Sequence, residues 1–231
     1  MENAILMASG LGTRMRPLTN DTPKPLIKVK DKPMIETVID GLIKRGVNRI
    51  CIVVGYLGEQ FNYLTEKYPA VEIIVNNDYN KANNISSVYY AREILDQGDC
   101  FICEADLFVS NKALFTTKLD ESCYFGKMVK GKSLDWVFDT DKDGIITRVG
   151  KVGVDCYNMV GVSYFKKKDG MLLKKVIEEA YMSEKNWDKF WDDIVNENID
   201  KFKLKIHPVE KNDIAEIDTV DELKAMDDSY K

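Results

Sequence analysis

Three cations crowd a glycine turn near the start of the chain. In LMASGLGTRMRPLTNDTPKPL, residues 6–26, Gly10 and Gly12 are followed by Arg14, Arg16 and Lys24. A glycine-rich loop after a strand aims several backbone N–H groups at one point, so it can cradle phosphate oxygens without side-chain clash. Arginine forks and a lysine point charge beside such a loop suit a triphosphate. This turn matches neither standard phosphate motif. A dinucleotide fingerprint starting at Gly10 would keep Gly12 but needs glycine where Met15 stands, and a Walker loop needs a Gly-Lys-Ser/Thr run that the turn lacks. The prolines of PLTNDTPKPL predict an extended segment that carries Lys24 back toward the loop.

Two carboxylates are candidates to complete such a site. Asp106 follows the apolar run CFICEA, at the carboxyl end of an expected strand, where open α/β sheets place their ligands. A carboxylate there is a hard oxygen ligand for magnesium, which takes one or two protein carboxylates plus substrate phosphates. Asp218, in AEIDTVDEL, precedes Thr219 and Glu222 at capping-box spacing, so on spacing alone it is equally a neighbour of a helix cap. The single histidine, His207 in FKLKIHPVE, lies on a strand before Pro208 and reads as structural. Ser-His-Asp and Cys-His chemistry therefore lack a base. In-line attack of an acceptor oxygen on a nucleotide α-phosphorus needs only alignment and neutralised charge, which these cations can supply.

The elements that position these groups follow from periodicity. NAILMA, RICIVVG, VEIIVN and CFICEA read as strands. Ile35, Val38, Ile39, Leu42 and Ile43 repeat at helical spacing up to Gly46, and further helices are expected over 60–67 and 87–95. Alternating strands and helices predict an α/β fold with a doubly wound, mostly parallel sheet. Beyond Asp106 come short strands (CYFGKMV, WVFD, IITRVG, MVGVSYF), helices over 170–181 and 189–196, and the strand FKLKIHPV. These extend the same sheet, because no Pro/Ser/Gly linker marks a boundary. A single domain, residues 1–231, is expected, with a nucleotide-binding half near 1–110 and an acceptor-binding half near 111–231.

MASGLGTRMRPLTNDTPKPLIKV closely resembles the signature A-A-G-x-G-T/S-R-x-x-P-L-T-x-x-x-P-K-P of nucleotidyltransferases that activate sugar phosphates and related phosphates, with Ser9 in place of the second alanine. The resemblance continues in order through VNNDYNKANNISSVYYA, CEADLF, MVGVSYF, FWDDIV and VEKNDIAEIDTVDEL, and is nearest to the bacterial choline-phosphate cytidylyltransferases. It implies a Rossmann-like fold, with CTP and phosphocholine as substrates and CDP-choline and pyrophosphate as products. It also implies a magnesium ion held by Asp106 and Asp218. Arg14 would hold the β- and γ-phosphates, and Lys24 would bridge the α-phosphate and the incoming phosphate. Backbone groups of Ala8, Gly10 and Gly12, with Asn84 and Ser86, would bind the nucleotide. Asn84 or Ser86 is equally suited to capping the helix that follows. A trimethylammonium cannot donate a hydrogen bond and is met by aromatic faces with a carboxylate nearby. Trp136, Tyr181, Trp191 and Asp192 would form that pocket, although each tryptophan is equally suited to packing at a sheet–helix junction.

A net charge of −5 argues against nucleic acid and anionic membranes as partners, so an anionic substrate must meet a local cluster. No signal peptide or membrane span is expected, and five cysteines in mostly apolar runs suit a cytoplasmic protein. Cys100 and Cys103 make a lone C-x-x-C inside a strand pattern. DTDKDGIITRVG imitates a calcium loop, but its twelfth position is Gly150, and Asp143-Gly144 reads as a hairpin turn. Two other functions stay open at this point. The acceptor could be a sugar 1-phosphate, phosphoethanolamine or 2-aminoethylphosphonate, or the domain could sense nucleotides without turnover.

Overall fold

The apolar runs of the first half become strands whose faces alternate. A computed structural model describes residues 1–231. In chain order the elements are β1 (Glu2–Ala8), β2 (Lys28–Val29), β3 (Lys32–Pro33), α1 (Met34–Arg45), β4 (Arg49–Val54), α2 (Tyr63–Lys67), β5 (Val71–Val75), α3 (Ile85–Tyr90), β6 (Asp99–Glu104) and β7 (Leu107–Val109). They continue with β8 (Cys123–Thr140), β9 (Ile146–Phe165), α4 (Lys167–Tyr181), α5 (Trp191–Glu197), β10 (Lys205–Pro208), β11 (Ile214–Glu216) and α6 (Val220–Met226). Seven strands form one sheet in the order β10-β8-β9-β6-β1-β4-β5. The β1, β4, β5 and β6 pairings and that of β10 with β8 are parallel, while β9 runs antiparallel to both its neighbours. This is the expected doubly wound, mostly parallel sheet with C-terminal additions.

Strand periodicity of two sends alternate side chains to opposite cores. Ala4, Leu6 and Ala8 of β1 join a cluster with α1 and α2, whereas Ile5 joins one with α3, α4 and α5. Cys103 and Cys100 fall into these opposite clusters, so the C-x-x-C pair cannot share a ligand. Helix α1 buries Ile35, Val38, Ile39 and Leu42 along one stripe and ends at Gly46, whose φ of 97° suits glycine. No helix is long and apolar enough to cross a membrane.

Three expectations change. The four short strands after Asp120 are two long ones, β8 and β9, joined at Gly144 with φ 76°. Repeated register shifts break their apolar alternation, so the pattern reads as fragments. The proline segment is not extended but coils into 3₁₀ turns at residues 13–15, 18–20 and 24–26. It still returns Lys24 to the loop, where a side chain at Gly12 would stand 2.9 Å from Lys24 Cβ. The helices expected over 60–67 and 87–95 each divide into an α-helix and a 3₁₀ turn.

A third, small core under the glycine turn joins Met15, Phe108, Ile217 and Leu223. It fixes three distant segments beside one another: the basic turn, the residue after Leu107, and the residue before Asp218.

Candidate active site

A cleft of about 610 Å³ opens beyond the carboxyl ends of β1, β5 and β6 and is closed on its far side by segments of the second half. Ligands of open α/β sheets bind at this end of the strands. Ala8, Gly10, Gly12, Arg14, Lys24 and Asp106 line it, together with Asn84, Ser86, Trp136, Asp192 and Asp218.

The two carboxylates expected to cooperate do meet. Antiparallel pairing of β11 with β7 sets Glu216 opposite Leu107, which brings the residues after β11 beside Asp106. Oxygens of Asp106, Glu216 and Asp218 lie within 4.8 Å of one another. Lys24 Nζ sits between two of them, donating to Asp106 Oδ2 at 2.5 Å and to Asp218 Oδ1 at 2.6 Å. Arg14 Nη2 donates to the same Asp218 oxygen at 2.8 Å. Burial opposes the charge on Lys24, yet Asp106 and Asp218 outweigh it and push the ammonium up to about 12. Burial likewise opposes charge on Asp218, and Lys24 with Arg14 holds it below the usual carboxylate range. Glu216 is pushed upward, first by burial and then by Asp106 and Asp218. Three crowded acids share one buried lysine and one exposed arginine, so the cluster is short of positive charge.

Asp218 is also held by its own chain. Glu222 Oε2 accepts from the Asp218 and Thr219 N–H groups at 2.8 and 2.9 Å, and Thr219 Oγ1 accepts from Glu222 N at 3.2 Å, a closed capping box. Both readings of Asp218 therefore hold: it flanks the cap and faces the cleft. Thr219→Ala is expected to cost about 1 kcal/mol, roughly a 2–4 °C lower melting temperature at this size. Turnover should fall with it, and an unchanged melt would mean the cap carries no weight.

Of two further acids lining the cleft, Asp192 was expected and Glu104 was not. Glu104 shares the spacing Glu-x-Asp with Asp106, as Glu216 does with Asp218; in each, the middle residue, Ala105 or Ile217, is fully buried. Strand alternation thus turns both acids of each pair the same way, a signal that the sequence offered. Room for the Glu104 carboxylate comes from Gly161, at φ 74°, where a side-chain carbon would lie 2.7 Å from Oε2. Burial, followed by Glu216, Asp106 and Asp192, raises Glu104 well above its ordinary value. Asp192, 3% exposed in the first turn of α5, accepts from the Tyr124 hydroxyl at 3.0 Å. Burial pushes Asp192 up to about 7 against that hydrogen bond. Neither half-buried Glu104 nor buried Asp192 has an ion-pair partner in the protein, an unusual state for acids so little exposed.

The aromatic pocket is only partly assembled. Trp136 and Phe190 both line the cleft and meet edge to face at 5.5 Å. Trp191 does not reach it. This residue is 3% exposed, stacks on Tyr124 at 5.8 Å and meets Phe165 edge-on at 6.0 Å. Neighbouring residues on a helix point about 100° apart, so once Asp192 faces the cleft Trp191 turns into the core. Tyr181 is also outside the cleft. Its ring stacks on Tyr89 at 4.0 Å, and its hydroxyl donates to Asp78 Oδ2 at 2.7 Å.

The polar residues expected near the base line the cleft but are tied to the scaffold. Asn84 Oδ1 accepts from Trp191 N at 2.9 Å, anchoring α5, and makes no side-chain cap on α3. Ser86 Oγ donates to the Asn83 carbonyl and accepts from buried Asn76 Nδ2, both at 2.8 Å. Ser9 Oγ donates to the Val53 carbonyl at 3.0 Å. The Gly-Lys-Ser run that the turn lacks does occur elsewhere, where Gly126, Gly131, Lys132 and Ser133 reproduce the Walker spacing, but these residues belong to β8 and precede no helix.

Known proteins bear on this arrangement directly. Residues 3–122 match the family described as Nucleotidyl transferase. A 2-aminoethylphosphonate cytidylyltransferase of Lancefieldella rimae is 54% identical, covering 99% of this chain and 93% of the relative. A choline-phosphate cytidylyltransferase of Streptococcus pneumoniae is 35% identical, covering 99% and 98%. The solved CTP:phosphocholine cytidylyltransferase of that organism superposes with a TM-score of 0.89 at 33% identity, covering 100% of this chain and 99% of that one. With its basic glycine turn facing paired carboxylates at the mouth of a doubly wound sheet, the chain belongs to the nucleotidyltransferase family.

Proposed function

We propose that the protein transfers CMP from CTP to 2-aminoethylphosphonate, releasing pyrophosphate. The observation that carries this acceptor is the pair of acids Glu104, half-buried, and Asp192, buried, which face the cleft without an ion-pair partner. A primary ammonium donates hydrogen bonds to carboxylates and supplies the missing charge. The 54% identical relative supports the same acceptor, and the cytidine nucleotide rests on the two relatives named above. A second reading, phosphocholine, is supported by Trp136 and Phe190 and by the 35% identical relative. Two of the aromatics that it called for, Tyr181 and Trp191, lie outside the cleft.

The donor set fits a hard divalent cation, since three carboxylates short of positive charge converge where Lys24 Nζ already stands. Asp106 and Asp218 would hold magnesium, with Glu216 beside them, and the ion would withdraw charge from the phosphate oxygens. The protein's groups do the rest. The glycine turn and Arg14 hold the β- and γ-phosphates, and Lys24 swings from its carboxylates to the α-phosphate and the acceptor anion. Glu104 and Asp192 anchor the acceptor's ammonium, which aims its anionic end at phosphorus. A phosphonate oxygen forms the new bond to the α-phosphorus as the bond to pyrophosphate breaks, and no proton must move at the reacting atoms.

Pyrophosphate release measured across four nucleoside triphosphates and a panel of acceptors tests the reading. CTP with 2-aminoethylphosphonate should give the highest kcat/KM, ahead of phosphocholine, phosphoethanolamine and hexose 1-phosphates. A higher value for a hexose phosphate would remove the proposal, and no turnover with any acceptor would favour a sensing domain. A pH series adds a second check. Asp192, raised to about 7, becomes neutral as pH falls through that value and loses its pull on an ammonium. The KM for 2-aminoethylphosphonate should therefore climb below about pH 7. In Asp192→Asn it should be high throughout, and that part of the slope should vanish.

A further inference from the structure

One cation of the cleft has no role in the scheme above. Lys151 lines the cavity and makes no ion pair, yet its Nζ lies 5.5 Å from the Trp136 ring centre and 5.4 Å from that of Phe190. Ladder register sets this position, because Lys151 and Trp136 are directly opposed partners of β9 and β8. Opposed side chains of an antiparallel pair stand on the same face within contact distance. The backbone there is held as well: Arg148, paired with Asp139, donates to the Lys151 and Val152 carbonyls at 3.2 and 3.1 Å. Trp136 and Phe190 meet at an interplanar angle of 72°, a corner of two ring faces of the kind that attracts a cation.

We infer that Lys151 is a specificity-determining residue: its ammonium lies over the Trp136–Phe190 corner and excludes a quaternary ammonium acceptor from it. This rests on the proposed aminoalkyl acceptor and adds the reason for its selection. Two cations sharing one aromatic corner repel each other, whereas a primary amine can pass to Glu104 and Asp192, where its hydrogen bonds find acceptors. A trimethylammonium has no donors for those acids and needs the rings that Lys151 covers. Discrimination against a wrong ligand by a like charge is a recognised route to specificity.

The experiment compares kcat/KM for phosphocholine and 2-aminoethylphosphonate in the wild type, Lys151→Gln, Lys151→Arg and the double variant Lys151→Gln/Trp136→Ala. In Lys151→Gln the phosphocholine-to-aminoethylphosphonate ratio should rise at least tenfold, chiefly through a lower phosphocholine KM. Lys151→Arg keeps a cation over the rings and should keep the wild-type ratio. The double variant should lose the gained use of phosphocholine, since the vacated corner is then gone. A ratio that does not move in Lys151→Gln, in a wild type that prefers aminoethylphosphonate, overturns the assignment of Lys151 alone, whereas a wild type that prefers phosphocholine overturns the proposed acceptor as well. If the wild type uses neither acceptor, the underlying function falls and this inference with it.

Discussion

Asp106→Ala is expected to lower turnover by about 10³-fold or more, equivalent to roughly 4 kcal/mol of barrier, while leaving the fold intact. The side chain lies at the mouth of the sheet just past β6, half-buried, with one ion pair to Lys24 and neighbours in Glu216 and Asp218. Its removal takes away a carboxylate from the cluster proposed to hold a divalent ion, and it also frees Lys24 from one of its two partners. Lys24 keeps Asp218 at 2.6 Å, so no bare cation is left behind and the melting temperature should move only a few degrees. Mn²⁺ binding in the presence of CTP, read by titration calorimetry or electron paramagnetic resonance, should weaken in parallel. A rate within a few-fold of wild type would reject the assignment of Asp106 outright.

Lys24→Met should match that loss of activity and reverse the metal readout. Lys24 is 7% exposed and supplies the one buried cation of the cluster, so without it the charge that builds at the transferring phosphoryl group goes unmet. A loss of about 10²–10³ in kcat is the expected scale for one preorganised donor. Its ammonium also stands between Asp106 and Asp218, where it competes with any other cation for the same oxygens. Methionine keeps the length and the apolar stem but gives those oxygens up. Mn²⁺ alone should therefore bind more tightly to Lys24→Met than to wild type, and should raise its melting temperature further. Weaker Mn²⁺ binding in the variant would mean that lysine and metal do not compete, and the proposed cluster would have to be redrawn.

The parts read most directly from the residues are those ruled by local physics. The strands β1, β4 and β6 and the helix α1 follow from apolar periods of two and 3.6 closed by a glycine, and each stands where its pattern put it. Interruption hid other elements. β8 and β9 carry register shifts and exposed polar stretches, so a 20-residue strand looks like two short ones. Asp192 and Trp191 illustrate the limit at the site. Both belong to FWDDIV, yet helix geometry and the cavity around Tyr124 and Phe165 decide which one faces the ligand.

By itself the sequence determined the basic glycine turn, the cations that follow it, the sheet behind it and a carboxylate at a strand's end, because each depends on neighbours a few residues away. Only tertiary structure decided that Asp218, more than a hundred residues later, meets Asp106 through the β7–β11 pairing. It also turned Glu104 and Asp192 toward the cleft without an ion-pair partner and laid Lys151 over Trp136. Those outcomes turn on strand register and on competition for limited buried volume, which are properties of the packed whole and are encoded in no single stretch of chain.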